Sequence, residues 1–293
     1  MRFSKYHGTG NDFLIVEDLD DRLELAEEMI AAACDRHRGV GADGLIRIVR
    51  GHTAGIDFVM DYYNASGEVA EMCGNGIRCL AKHVYDGGLT AAQAIDVQTR
   101  AGIKHLVLRT ESGRVRDVTV DMGVPTLARA AMGMTGDPHG TFVGQRLEVG
   151  GRAYTATALS MGNPHCVLFL DPSEDLATVD VRGIGAAVEH LPLFPNRTNV
   201  EFVNLHGGRI AIRVWERGSG ETMACGTGAC AALVASSLAG MSERQAEVEF
   251  PGGVLHVDWG EDDHVLLTGP AVHVFDGELT EAWMGQVLAG APR

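Results

Sequence analysis

Two short segments of this 293-residue chain hold the residues best suited to chemistry. Cys73-Gly74-Asn75-Gly76 and Cys225-Gly226-Thr227-Gly228 each set a cysteine ahead of two glycines, and helical spacing follows both. After the first, apolar residues recur at Ile77, Leu80, Ala81, Val84 and Tyr85; after the second, Ala229 to Ala235 is apolar almost all round, which requires burial on every side. A thiol at a helix start meets unpaired backbone N–H groups and the positive end of the dipole, both of which favour its thiolate. The glycines remove bulk and let a substrate approach the backbone. Two such thiols on opposite sides of one carbon can take a proton from one face and return it on the other, which inverts the centre.

These segments belong to an internal repeat. A shift of 152 positions lays Gly10-Asn11 on Gly162-Asn163, Cys73 on Cys225 and Asn64 on Glu216. Most other positions differ, so the coincidence lies in spacing, and duplication of a domain explains it economically. The remaining cysteines, Cys34, Cys79, Cys166 and Cys230, read as core. No C-x-x-C or H-E-x-x-H pattern occurs, so no metal site is expected. A cysteine hydrolase with His165 as base leaves one of the two matched thiols unexplained. A pyridoxal phosphate enzyme needs a Schiff-base lysine, yet Lys5, Lys82 and Lys104 stand in no glycine-rich phosphate loop. The reaction is expected to run without a cofactor.

The elements that must hold these residues are mostly strands. Strand patterns cover Phe13–Glu17, Leu45–Val49, Ile56–Tyr62 and Ile103–Leu108, then Cys166–Leu170, Val200–Leu205, Ile210–Trp215, Val254–Trp259 and Val265–Leu267. A further amphipathic helix is expected after Asp21 as N-cap, with Leu23, Ala26, Ile30 and Ala33 on one face. Val124 to Gly140 reads as a connection between units. At about 100–200 residues per domain the length suits two units. A formal net charge of -15 disfavours nucleic acid and anionic membranes as partners. The N-terminus lacks a signal-peptide layout and no apolar run reaches the roughly 20 residues of a membrane span, so the expected compartment is the cytoplasm.

Four motifs in order, His7-Gly8-Thr9-Gly10-Asn11-Asp12-Phe13, Glu71-Met72-Cys73-Gly74-Asn75-Gly76, Ser160-Met161-Gly162-Asn163-Pro164-His165-Cys166 and Trp215 through Gly228, resemble diaminopimelate epimerase along the whole chain. That resemblance implies a cofactor-independent isomerase interconverting LL- and meso-diaminopimelate on the way to lysine and peptidoglycan. It implies Cys73 and Cys225 as the two acid/base groups, with His165 near Cys73 and Glu216 near Cys225. Around the substrate it places Asn11, Asn64, Asn163, Asn199, Glu216 and Arg217, with Gly74-Asn75 and Gly226-Thr227 holding the carboxylate at the reacting centre. A nearby carboxylate disfavours thiolate where an imidazolium favours it, so the two thiols need not be equivalent at rest. Some members carry Gln where this chain has Gly44, and no side-chain contact is assigned there.

The implied fold class is α/β (α+β): two pseudosymmetric domains, each a curled, mostly antiparallel mixed sheet around a central helix, with the active site in the interdomain cleft. Residues 1–120 completed by 270–293 would form one domain and 121–269 the other. The partner is a small molecule, and a homodimer stays open. Proline racemase or hydroxyproline epimerase, of the same fold and paired cysteines, is the nearest alternative. A non-catalytic amino-acid binder of that fold is the alternative from another class.

Overall fold

The structure, a computed structural model, describes residues 1–206 and 208–290. Residues 291–293, the end of the expected C-terminal tail, lie outside the described residues. Two units emerge: Met1–Val120 together with the chain from Gly269 onward, and Asp121–Thr268. The chain runs through β1 (Arg2–Gly8), β2 (Asn11–Glu17), α1 (Glu27–Cys34), β3 (Gly44–Arg50), β4 (Phe58–Asn64), β5 (Val69–Ala70), α2 (Gly74–Asp86), β6 (Ala94–Thr99), β7 (Gly102–Glu111) and β8 (Arg114–Asp121). It continues through β9 (Phe142–Val149), β10 (Arg152–Ser160), β11 (Pro164–Phe169), α3 (Val181–Glu189), β12 (Asn199–His206), β13 (Arg209–Glu216), β14 (Gly220–Thr222), α4 (Gly226–Leu238), β15 (Gln245–Phe250), β16 (Gly253–Trp259) and β17 (Val265–Pro270). Last come β18 (Val272–Glu278) and α5 (Glu281–Leu288).

Each unit has the same sheet. In the first the order is β18-β1-β2-β3-β4-β6-β7-β8, parallel only at β2/β3 and β4/β6. The second reads β9-β10-β11-β12-β13-β15-β16-β17, parallel only at β11/β12 and β13/β15. The C-terminal strand β18 therefore takes in the first unit the place that β9 holds in the second. The duplication inferred from spacing is a duplication of topology.

The central helices are α2 and α4. Ile77, Cys79, Leu80, Ala81 and Val84 of α2 have no exposure, and neither has any residue from Ala229 to Ala235 of α4. Helix α2 lies on β1, β2, β3, β7 and β18, and α4 on β10 through β13, β15 and β16. Such helices are held by burial rather than by propensity. Cys34, Cys79, Cys166 and Cys230 are buried, and burial pushes the Cys34 and Cys79 thiols up to about 12.

The structure corrects three local expectations. Helix α1 starts at Glu27 with Ala26 as N-cap, not after Asp21. The Asp18 carboxylate accepts from the N–H groups of Arg22 and Leu23, Arg47 binds the Leu23 carbonyl, and Asp21 turns the chain at a φ of 55°. Those bonds close a turn where the sequence suggests a helix. Strand β4 begins at Phe58, because Ile56 N–H bonds the Thr53 carbonyl in a turn. The connection from Val124 to Gly140 carries structure of its own: Thr126 bridges Ser160, Arg129–Met132 makes a 3₁₀ turn, and Met132 and Met134 enter the core.

A charge cluster pins the start of β2, next to the repeated Asn11. Lys5 Nζ lies 2.5 Å from Asp12 and also bonds the Gly41 carbonyl, while Arg36 reaches Asp12 and Asp43 at 2.7 Å each. Burial would raise the Asp12 carboxyl, but the hydrogen bonds from Arg36 and Lys5 outweigh it and hold it at about 2. A carboxyl lower in the folded chain than in the unfolded one stabilises at pH values above its unfolded pKa and loses that contribution as pH falls towards its folded pKa. Asp12→Asn is expected to cost about 2 kcal/mol at pH 7 in urea unfolding, and the gap to the parent should close between about pH 4 and pH 2.

Candidate active site

Each repeated Asn stands where a tight turn enters a strand. Thr9 and Gly10 take positive φ (53° and 83°), the type I′ geometry that joins β1 to β2, so Asn11 opens β2. In the second unit a three-residue turn, with Gly162 at φ 95°, brings Asn163 to the start of β11.

In the first unit Cys73 is the N-cap of α2, with φ/ψ of -134°/118°, and its Sγ accepts from Gly76 N–H at 3.5 Å. The Cys73 thiol donates to Asn11 Oδ1 at 3.5 Å, and Asn75 Nδ2 donates to the same oxygen at 3.3 Å. Asn11 is oriented from behind: its Nδ2 donates to Asp43 Oδ2 at 2.7 Å, and since a carboxylate only accepts, the amide oxygen must face Cys73. The turn itself is held by Arg78, which has no exposure. Its guanidinium donates to Gly74 O (3.0 Å), Asn75 Oδ1 (3.1 Å), Thr9 Oγ1 (3.2 Å) and Pro270 O (3.3 Å). A buried cation one turn inside the helix favours negative charge at its start.

The second unit repeats the backbone and changes the chemistry. Cys225 caps α4 at φ/ψ of -131°/118° and accepts from Gly228 N–H at 3.4 Å. Its Sγ is 3.5 Å from Thr227 Oγ1, which accepts from Asn163 Nδ2 at 3.3 Å. Asn163 Oδ1 faces His165 Nε2 at 2.9 Å, and His165 Nδ1 meets Glu201 Oε1 at 2.6 Å. Here the helix end is opposed, as a nearby carboxylate implies. Burial first, then the charges of Glu216 and Glu201, push the Cys225 thiol well above its ordinary value, against the bonds from Thr227 and Gly228. Desolvation of the sulfur outweighs the helix end.

The structure brings Cys73, Gly74, Asn75 and Asn11 together in the first unit, and Cys225, Gly226, Thr227, Asn163 and His165 in the second. His165 is engaged within its own unit by Glu201 and Asn163. Glu216 lies close enough to Cys225 to act on its charge and accepts from Thr222 Oγ1 at 2.5 Å. Asn199 ties the start of β12 to the end of β13, its Oδ1 accepting from Arg217 N–H at 2.8 Å. The Arg217 side chain is exposed, 3.4 Å from Asn196 O. Asn64 is spoken for locally: its Oδ1 closes a turn onto Ser66 and its Nδ2 reaches Glu68. At Gly44 a Cβ would fall 2.4 Å from Tyr63 O and 2.7 Å from the Tyr62 ring, so no side chain fits there.

Sequence reasoning missed Arg78, Asp43 and Glu201, all of which orient the residues it found. Two signals were present: a charged residue within the buried stretch of α2, and a carboxylate inside the strand-like run that became β12.

Two units of one topology, each with a thiol at the N-cap of its central helix, make a two-domain epimerase-like fold. The chain belongs to the diaminopimelate epimerase family: the pattern describing "Diaminopimelate epimerase" matches residues 3–128 and 157–274. It is 48% identical over 281 residues to the diaminopimelate epimerase of Pelotomaculum thermopropionicum, covering 95% of this chain and 98% of that one. It is also 48% identical over 284 residues to that of Synechococcus elongatus, with the same coverage. Among solved structures, a probable proline racemase from Agrobacterium radiobacter superposes with a TM-score of 0.71 at 11% identity, covering 96% of this chain and 93% of that one. A hydroxyproline epimerase from Agrobacterium vitis gives 0.69 at 12%, covering 98% of each. Those two share the fold.

Close packing beneath the caps is testable. A Cβ on Gly76 would sit 2.8 Å from Ile46 Cδ1 and 3.3 Å from Met60 Cε. Gly76→Ala should destabilise by about 1–3 kcal/mol through overpacking, and Ile46→Val, which removes that methyl, should recover part of the loss in a double-mutant cycle.

Proposed function

We propose that this isomerase interconverts LL- and meso-2,6-diaminopimelate by proton transfer at one α-carbon, with Cys73 and Cys225 as the two acid/base groups and no cofactor. The reading rests on one observation: the same sheet, repeated, sets a thiol at the N-cap of each central helix, with Arg78 behind one turn and Glu201 behind the other. A general base and a general acid must differ in protonation at one pH, and opposite buried charges provide that difference.

The Cys73 thiolate takes the α-proton, the C–H bond breaking as S–H forms. The electron pair left on carbon spreads into the adjacent carboxylate, and backbone N–H groups of the first turns, at Gly74-Asn75 and Gly226-Thr227, hold that growing charge. Cys225 gives its proton to the opposite face and is left as thiolate; the reverse direction exchanges the roles. Asn11, Asn163, Asn199, Glu216 and Arg217 supply donors and acceptors for the ammonium and carboxylate groups, with Arg217 suited to the distal carboxylate. Asn64 joins them once its turn bonds to Ser66 and Glu68 are exchanged for substrate. His165, held by Glu201, acts on the thiol pair from the second unit. Closure over the substrate excludes water and strengthens these interactions.

A charged amino-acid substrate fits a cytoplasmic enzyme, acting alone or as a homodimer. Among the described residues no helix is long and apolar enough to cross a membrane. Relatives at 48% identity favour diaminopimelate over proline, which the sequence leaves as the alternative.

Incubated with LL-diaminopimelate in deuterated water, the parent should place deuterium at one α-carbon, followed by NMR. Cys73→Ser and Cys225→Ser should each lower turnover by about 10²–10⁴. Exchange on proline alone would overturn the substrate, and tight binding without exchange in the parent would make the protein a binder.

A further inference from the structure

The floor beneath the two caps differs in one respect that stability does not explain. Phe13 pairs with Gly44 across β2/β3 as His165 pairs with Asn199 across β11/β12, so Ile46 and Glu201 occupy equivalent places two residues on. The helix turns agree: a Cβ on Gly76 would meet Ile46 Cδ1 at 2.8 Å, and a Cβ on Gly228 would meet Glu201 Oε1 at 3.0 Å. Phe13 and Ile46 thus fill in the first unit the space that His165 and Glu201 fill in the second, and all four have no exposure. Replacing a buried ion pair by apolar residues is often neutral or stabilising, and the first unit shows that this backbone accepts the apolar solution. The polar pair must serve something other than the fold.

Its hydrogen bonds run to the thiol. Because Asn163 Nδ2 donates to Thr227, Asn163 Oδ1 faces His165 Nε2, which must carry a proton. His165 Nδ1 and Glu201 Oε1, 2.6 Å apart, then share one more. Thr227 Oγ1 accepts from Asn163 and keeps its own proton for Cys225 Sγ. From the other side, Glu201 Oε1 and Cys225 Sγ lie 3.0 Å and 3.4 Å from the point where a Gly228 Cβ would stand, so both border the space that glycine leaves empty. Glu201 faces His165 from β11, Glu216 from β13 and Cys225 from the start of α4; His165 is the one side chain among the described residues that pairs with its carboxylate. Glu201 Oε2 is buried with no hydrogen-bond partner among them.

We propose that Glu201 is the positioning residue of the second half-site: by sharing a proton with His165 it orients Asn163 and Thr227 and makes Cys225 the proton donor of the resting enzyme. The assignment rests on the two-thiol reading above and goes beyond it. At rest the carboxylate opposes a second negative charge on Cys225. After proton transfer the Thr227 hydroxyl, already aimed, receives the thiolate. Glu201→Gln removes the charge and the shared proton. The amide nitrogen of the substituted side chain can donate to His165 Nδ1, which keeps the Nε2 proton on Asn163 and the chain to Thr227, so what changes at Cys225 is the loss of the charge.

The test is peptide-resolved alkylation by iodoacetamide at a fixed pH near 8, followed by mass spectrometry, with steady-state kinetics alongside. Below the thiol pKa a shift of one unit changes the thiolate fraction tenfold. Glu201→Gln should therefore raise the Cys225 alkylation rate about tenfold, leave Cys73 unchanged and lower kcat with KM nearly constant. Glu201→Asp, which keeps the charge, should restore the parental alkylation rate. The double variant His165→Phe/Glu201→Ile, which copies the first unit, should fold and show the fast Cys225, with the core thiol Cys230 still protected. A Cys225 rate that stays parental in both Glu201→Gln and the double variant would overturn the proposal, even with activity lost. If the parent shows no α-carbon exchange while the Cys225 rate still shifts as stated, the substrate reading fails and Glu201 keeps this role.

Discussion

The hydrogen bond from a backbone N–H to sulfur at the N-cap is the constraint around which each unit is built. It is made at 3.5 Å by Gly76 and at 3.4 Å by Gly228, at nearly the same cap dihedrals. Cysteine is a weak acceptor in a position usually taken by Ser, Thr, Asp or Asn, so the bond adds little to helix stability. Burial supplies what the cap does not, which is why α2 and α4 are enclosed by sheet along nearly their whole length. The glycine three residues after each sulfur has to be glycine, because the floor beneath it, Ile46 or Glu201, already fills the space of a side chain.

On the proposed two-thiol reading, duplication alone would give two half-sites with the same titration, and nothing would fix which thiol holds the proton at rest. The repeat has diverged where that matters. Arg78 in α2 stands where α4 has Cys230, and Ile46 where β12 has Glu201. The paired asparagines are turned in opposite senses, Asn11 presenting its oxygen to the cap turn because Asp43 holds its nitrogen, Asn163 presenting its nitrogen because His165 holds its oxygen. Backbone geometry was kept and electrostatics reversed.

Much of this was readable in the residues. The repeat, both caps and both central helices follow from spacing, because glycine and buried apolar runs leave strong local signals. Less legible were strands such as β18, exposed at most of its positions and paired with β1, and α3 and α5, which are short. Asp21 misled because the Asp18 carboxylate takes the N–H groups a helix would need. Arg78, Asp43 and Glu201 escaped because no binary pattern marks a buried charge whose partners lie on other elements. Which thiol is charged at rest stayed open because sequence shows the helix end and not the depth at which it is buried.

The balance at Cys225 can be weighed. A helix terminus contributes about 0.3–1 kcal/mol to a nearby charge and up to about 2 in partly buried geometry. Each unit of pKa is worth about 1.4 kcal/mol, and full burial can move a group by as much as about 3–5 units. In a closed site the dipole is therefore too small to hold a thiolate against desolvation. A positive charge has to help: Arg78 stands behind the first cap, and on the proposed reading the α-ammonium of the substrate brings another beside the carbon that loses its proton. On the proposed reading the substrate completes the electrostatics of its own deprotonation: the helix ends would receive the carboxylate, the ammonium would offset the sulfur, and buried charges such as Arg78 and Glu201 would set which thiol holds its proton at rest.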